Sequence, residues 1–321
     1  MPKNYLLNFS FLLLFTLFSV DSRGQENTIF TDDYLDPFIT NPAFSGVDEY
    51  FKAHLSAKKR WVGIPDAPGS ALLSTNFRIG KYDFYNPNGL VYKGPLKLRG
   101  RIGVGASLFQ ENYGPIGNTG GILSYAYHLP LKQKSNLSFG LSVILLNQSL
   151  KTSELRPDEP GDSYLFSGNN SSFKAKIGGG VLYRKKAFFI GLSMMKYVSD
   201  NANMLVEVTE DNSYFTMLGY KFKTNKKGFV LEPLLAVKKI NNSSVIMDVH
   251  AKCYLGKHQW FALSYSTLNN MNVRCAFRLY RMFYFGYNFA YGLGDVKSYN
   301  YGSHQVSLGI NLGLNGFEFI Q

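Results

Sequence analysis

Charge, tryptophan, cysteine and long apolar runs are all scarce in this chain of 321 residues. Charged residues make up 17%, well below the roughly 25% of an ordinary soluble domain. Beyond the N-terminal stretch no apolar run approaches the 18 or so residues that a spanning helix needs. Entry into a bilayer therefore requires a closed β-barrel, because only closure satisfies every backbone group in lipid.

Signals for catalysis are poor as well. The five histidines (His54, His128, His250, His258 and His304) are scattered, and none joins cysteines or carboxylates at metal-binding spacing. Ser303 and His304 are adjacent, but adjacency does not make a catalytic triad. Gly178, Gly179 and Gly180 sit inside a strand pattern, where close packing or a bend explains them better than a phosphate loop does. The chain reads as a non-enzyme with no cofactor and no metal. Cys253 and Cys275 each fall on the apolar side of a strand, with a further strand between them. Two strand spacings amount to roughly 9.6 Å, beyond the ~7 Å between Cα atoms that a disulfide tolerates. Both read as small lipid-facing or buried residues.

What is abundant is aromatic and small. Tyr (22), Phe (26) and Gly (31) are in excess, and 45% of residues are hydrophobic although mean hydropathy is near zero. That balance excludes a disordered chain and suits a sheet facing an apolar medium. The formal charge is +12. At the N-terminus, Lys3 precedes a short apolar run from Phe9 to Val20 and a polar stretch ending at Gly24. A run of that length reads as a signal peptide over residues 1–24, which places the rest of the chain outside the cytoplasm.

From Tyr50 onward, apolar and polar residues alternate. Phe51, Ala53, Leu55 and Ala57 oppose Lys52, His54, Ser56 and Lys58; Val306, Leu308, Ile310 and Leu312 oppose Ser307, Gly309 and Asn311. A helix would scramble these sets within two turns. Such runs cover 50–60, 70–79, 101–110, 120–129, 137–148, 173–184, 188–196, 213–223, 229–238, 245–255, 260–266, 272–280, 282–291 and 303–314. The fold class is thus all-β: a single transmembrane antiparallel β-barrel of about 14 strands over 50–321, after a periplasmic N-terminal segment at 25–49. Whether that segment plugs the lumen is left open.

Long connections at 111–119, 149–172, 197–212, 239–244 and 292–302 fall on one side and short ones on the other. This is the bacterial pattern of long external loops. The long stretch 80–100 breaks it without explanation. A soluble β-sandwich would also alternate, but fourteen successive hairpin-like strands, the signal segment and the glycines and serines on the polar face favour the membrane. Lys52, Lys58, Arg60, Lys221, Lys223, Arg274 and Arg278 fall largely on the polar parity. An electropositive lumen or anionic headgroups explain the charge, and no groove motif points to nucleic acid.

Two motif groups are more specific. The first is Asn41-Pro42-Ala-Phe-Ser-Gly46, followed by a strand and then Arg60-Trp61-Val-Gly63-Ile-Pro-Asp-Ala-Pro68. The second is Phe285-Gly-Tyr with Gly302-Ser303-His304-Gln305 near the end. Together with Glu232-Pro233 and Trp260-Phe-Ala-Leu-Ser-Tyr265, they resemble the PorP/SprF family of type IX secretion membrane proteins, over about Tyr34 to Leu314. Gln305 and Ala262 depart from its usual acidic residue and glycine. The resemblance implies a protein of the outer membrane of Bacteroidota-type bacteria. It also implies service to type IX secretion, gliding or surface attachment of secreted proteins, with outer-membrane lipid and secretion components or secreted surface proteins as partners. The alternative is a general porin or uptake channel. Closure of the barrel is expected to bring Arg60, Trp61, Gly63 and Pro68 against Gly302, Ser303 and His304, as a seam lock or a docking surface.

Overall fold

The structure is a computed structural model. It describes residues 35–48, 51–79, 101–133, 135–151, 171–200, 212–223, 228–240, 245–256, 259–280, 282–293 and 300–312. The expected signal peptide, the stretch 80–100 and most of the long connections at 149–172 and 197–212 lie outside these residues.

Fourteen antiparallel strands close on themselves. In chain order they are β1 (Phe51–Lys59), β2 (Gly69–Ile79), β3 (Ile102–Tyr113), β4 (Ile116–Leu131), β5 (Ser135–Leu150), β6 (Ser171–Lys185) and β7 (Phe188–Asp200). There follow β8 (Ser213–Tyr220, resumed at Phe222–Lys223), β9 (Phe229–Ile240), β10 (Ile246–Leu255), β11 (Gln259–Ser266), β12 (Asn270–Tyr280), β13 (Phe283–Gly292) and β14 (Ser303–Leu312). Each strand pairs with its chain neighbours, and β1 pairs with β14 from Phe51↔Leu312 to Lys59↔His304. No edge is left open, which is what lipid demands of a sheet. We call the end where β1 starts the lower rim and the end where it finishes the upper rim.

One expected loop is strand instead. Residues 111–119 continue β3 and β4, with Asn112↔Gly117 and Tyr113↔Ile116 paired around Gly114 and Pro115. Gly114 takes the positive φ (53°) that so tight a turn requires, and the ladder simply runs on past the apolar part of the pattern.

The outer face is apolar and bare. Leu123 is 64% exposed and Leu145 45%, whereas their inward neighbours Ile122 and Ile144 are 1% and 2% exposed. Leu55, Leu73, Leu108, Val249, Leu263, Val273 and Leu308 continue the outward band. A soluble protein does not leave so continuous a surface uncovered; a lipid-facing barrel must. Cys253 and Cys275 are free and both pair with Phe261 of the intervening β11. Among the described residues, no helix is long and apolar enough to span a membrane.

Candidate functional site

The interior is occupied by the chain itself. Residues 35–48 form two 3-10 turns, Pro37–Ile39 and Pro42–Phe44, and their side chains are almost wholly buried inside the barrel. Proline begins each turn because its fixed φ suits the first position and its missing N–H costs nothing there. Asn41 caps the second turn: its Oδ1 accepts from Ala43 N at 3.0 Å. The same carboxamide donates through Nδ2 to the carbonyls of Val181 and Leu192, at 3.3 Å each, so it ties the turn to β6 and β7.

Further on, His128 Nε2 donates to the Ser45 carbonyl at 2.7 Å while its Nδ1 lies 2.7 Å from Ser138 Oγ. Ser45 Oγ meets Ser124 Oγ at 2.7 Å, and Ser193 Oγ donates to the Thr40 carbonyl at 2.6 Å. Gly46 N donates to Asn76 Oδ1, and Arg78 Nε donates to the Gly46 carbonyl at 2.8 Å. Asp36 Oδ2 lies 2.9 Å from His54 Nε2, and Asp48 pairs with Lys52. Burial opposes ionisation of the Asp48 carboxyl, but the nearby Lys52 ammonium outweighs it and holds the pKa below the ordinary carboxylate value.

These contacts need a wall without side chains. A Cβ at Gly103 would strike the Ser45 carbonyl, one at Gly140 the Ala43 backbone, and one at Gly180 the Asn41 carboxamide. Gly46 itself has φ +67°, and a Cβ there would come within 2.6 Å of Gly103 Cα. Apolar contacts complete the seat. Phe38, Ile39, Phe44 and Val47 join Phe109, Ile122, Ile144, Met195, Phe215 and Met217 in one buried cluster inside the lumen. Each such side chain removed from water stabilises the seated segment by about 1.5–3 kcal/mol. Leu35 packs against a second cluster with Val230, Tyr254 and Trp260. Those residues stand near the lower rim, as does Phe51, so both described ends of the segment lie at the same end of the barrel.

Of the cations expected to line the lumen, Arg60 and Arg274 are buried, Lys52, Lys58, Lys221 and Arg278 are half-buried, and Lys223 is exposed at the lower rim. The interior cations have partners. Arg274 donates to Ser264 Oγ at 2.9 Å and lies 3.2 Å from His250 Nδ1. Lys238 pairs with Asp248 at 3.1 Å. Lys252 sits over the rings of Tyr254 and Trp260 at 4.6 and 4.2 Å.

The ten motif residues divide between two places. Asn41, Pro42 and Gly46 belong to the inserted segment. Arg60, Trp61, Gly63 and Pro68 lie on the connection that leaves β1 at the upper rim, and Gly302, Ser303 and His304 stand at the start of β14 at the same rim. There Lys59 pairs with His304, Trp61 N donates to Ser303 Oγ at 3.2 Å, and Val62 N donates to the Gly302 carbonyl at 2.8 Å. Tyr301 N returns to the Val62 carbonyl at 2.7 Å, and Arg60 N donates to the Pro68 carbonyl at 2.8 Å. Trp61 has φ +44°, a strained value for a bulky residue, and its side chain is 38% exposed. His304 Nδ1 lies 2.6 Å from Tyr287 Oη.

The inserted segment and the seam are the two places where the motifs converge, and a family model for "Type IX secretion system membrane protein PorP/SprF" matches residues 22–310. The chain belongs to the PorP/SprF family. The described barrel also resembles solved structures. The CymD monoaromatic hydrocarbon channel is 11% identical, with 92% of this chain and 96% of that one covered, at a TM-score of 0.50. Omp33 of Acinetobacter baumannii is 7% identical over 83% of this chain and 98% of that one, at 0.45. The P. putida toluene transporter TodX is 11% identical over 84% and 90%, at 0.43. These are likenesses of fold. No curated protein matches. Among the described residues no group of three or more His, Cys, Asp or Glu could hold a metal ion.

Proposed function

We propose that this PorP/SprF protein is a non-enzymatic outer-membrane scaffold, exported by a cleaved signal peptide, whose barrel is closed by its own N-terminal segment. It would serve type IX secretion, gliding or surface attachment by presenting its rims and loops to secretion components or secreted surface proteins, with no bond-making step. The observation that carries this reading is the seating of residues 35–48 in the lumen, where Asn41 takes up the wall carbonyls of Val181 and Leu192 and the wall's His128 binds the Ser45 carbonyl. Family membership supports the secretion role. The test is single-channel recording on purified protein in planar bilayers. The expected trace is flat, and a steady open pore in the unaltered protein would overturn the scaffold reading.

A second reading has one observation in its favour: cations such as Lys174, Lys176 and Lys238 line the interior near the upper rim. An uptake channel for anions would use them, but only after the inserted segment moves. Brief voltage-driven openings with anion preference would favour it.

A further inference from the structure

The outward surface changes character abruptly at the lower rim. The apolar band ends there in aromatic rings, among them Tyr127, Phe139, Tyr220 and Phe222, all exposed. Cations follow at once. Arg101 is exposed and donates through Nη1 to Tyr127 Oη at 3.3 Å. Lys132 follows the exposed Leu131, and Lys185 and Lys186 close β6 and begin the turn to β7, all three lysines exposed. Lys223, exposed, follows Phe222, whose ring lies 4.5 Å from that of Tyr220.

These five cations occupy an arc over neighbouring strands β3 to β8. Among the described residues no carboxylate stands beside them on the outward side, since Asp36, Asp48 and Glu232 are turned to the lumen. The upper rim differs. Its outward cations Lys59, Lys196 and Lys239 are dispersed, and Lys59 Nζ is engaged by the Ala67 carbonyl at 2.6 Å. In sequence, connections 151–170 and 201–212 at that end carry Glu154, Asp158, Glu159, Asp162, Glu207, Glu210 and Asp211 against only Lys151 and Arg156.

A cation set directly beyond lipid-facing aromatics can lay its apolar stem along hydrocarbon and hold its charge among headgroup phosphates. An acidic protein would need those cations clear of the bilayer, whereas here they border the rings that mark its edge. We propose that Arg101, Lys132, Lys185, Lys186 and Lys223 form a collar that binds the phosphates of anionic phospholipid headgroups. The collar fixes the lower rim, where the inserted segment enters, in the phospholipid leaflet.

The experiment is native mass spectrometry of the purified full chain after equilibration with equal phosphatidylglycerol and phosphatidylcholine. The unaltered protein should retain phosphatidylglycerol in preference by about threefold or more, and added salt should erase the preference. A combined R101Q, K132Q, K185Q, K186Q and K223Q variant should show a ratio near one, while K196Q with K239Q keeps the original ratio. Equal retention by the collar variant, a salt-insensitive preference, or the same loss in the upper-rim control overturns the collar. Preference for lipid A over phosphatidylglycerol does so too, as does collar-dependent capture of an acidic protein with no lipid selectivity. If the glutamine variant loses its heat-modifiable gel mobility, the charge-keeping exchange of Arg101 to Lys and the four lysines to Arg replaces it. That exchange must retain the preference, and its loss there also overturns the collar.

Discussion

The carboxamide of Asn41 occupies the space that a side chain at Gly180 would need, and it is bonded to the carbonyls on either side of that space. Position 180 is therefore a place where segment and wall are mutually exclusive. Gly180→Leu, and likewise Gly140→Leu, should unseat residues 35–48 and produce steady conductance in planar bilayers. Gly179→Leu is the control, because nothing lies within 4 Å of a Cβ there, and it should stay silent. Conductance in all three, or in none, would separate the glycines from the segment.

His128 holds the other end of the segment through Ser45. Replacing it with alanine leaves the buried Ser45 carbonyl short of a donor, which costs about 1–3 kcal/mol. His128→Ala should therefore make the N-terminal segment more accessible to protease, while the band of folded barrel in unboiled gels persists. Loss of the folded band would mean that His128 supports the wall itself through Ser138.

At the seam, Trp61→Ala and His304→Ala distinguish a lock from a docking surface. Normal outer-membrane abundance with lost secretion or surface attachment of partner proteins favours docking. Reduced abundance with heat-sensitive folding favours closure, since the backbone bonds at Val62 and Gly302 lie next to both residues.

Topology can be read on intact cells. A tag between Pro157 and Ser171, in the connection from β5 to β6 at the upper rim, should be labelled without lysis. Labelling only in lysed cells would reverse the orientation and put the inserted segment's entry on the outside.

The barrel was legible because its signal is a period of two repeated over many strands. The alternation of Leu55, Leu73 and Leu308 with polar neighbours survives any uncertainty in strand ends. The meeting of Trp61 with Ser303 followed from an even strand count and antiparallel closure. The inserted segment was not legible, although its signals were present. Gly103, Gly140 and Gly180 stood on the nominally polar parity, and Asn41-Pro42 read as turn chemistry. Nothing local says that a turn made by Pro42 rests on a glycine 98 positions away, because close backbone approach is a property of the closed barrel. The loop expected at 111–119 failed for a related reason: polar Asn112 and Asn118 belong to strands that extend beyond the apolar band.

Both described ends of the inserted segment, Leu35 and Asp48, lie near the lower rim, so residues 35–48 make a bight and not a thread. A bight can be pushed in after the cylinder has closed, or drawn out again, without parting a single strand pair. Insertion of the barrel into the membrane and filling of its interior are thus separable in time. A pull on the residues before Leu35 would reach the lumen before it reached the wall.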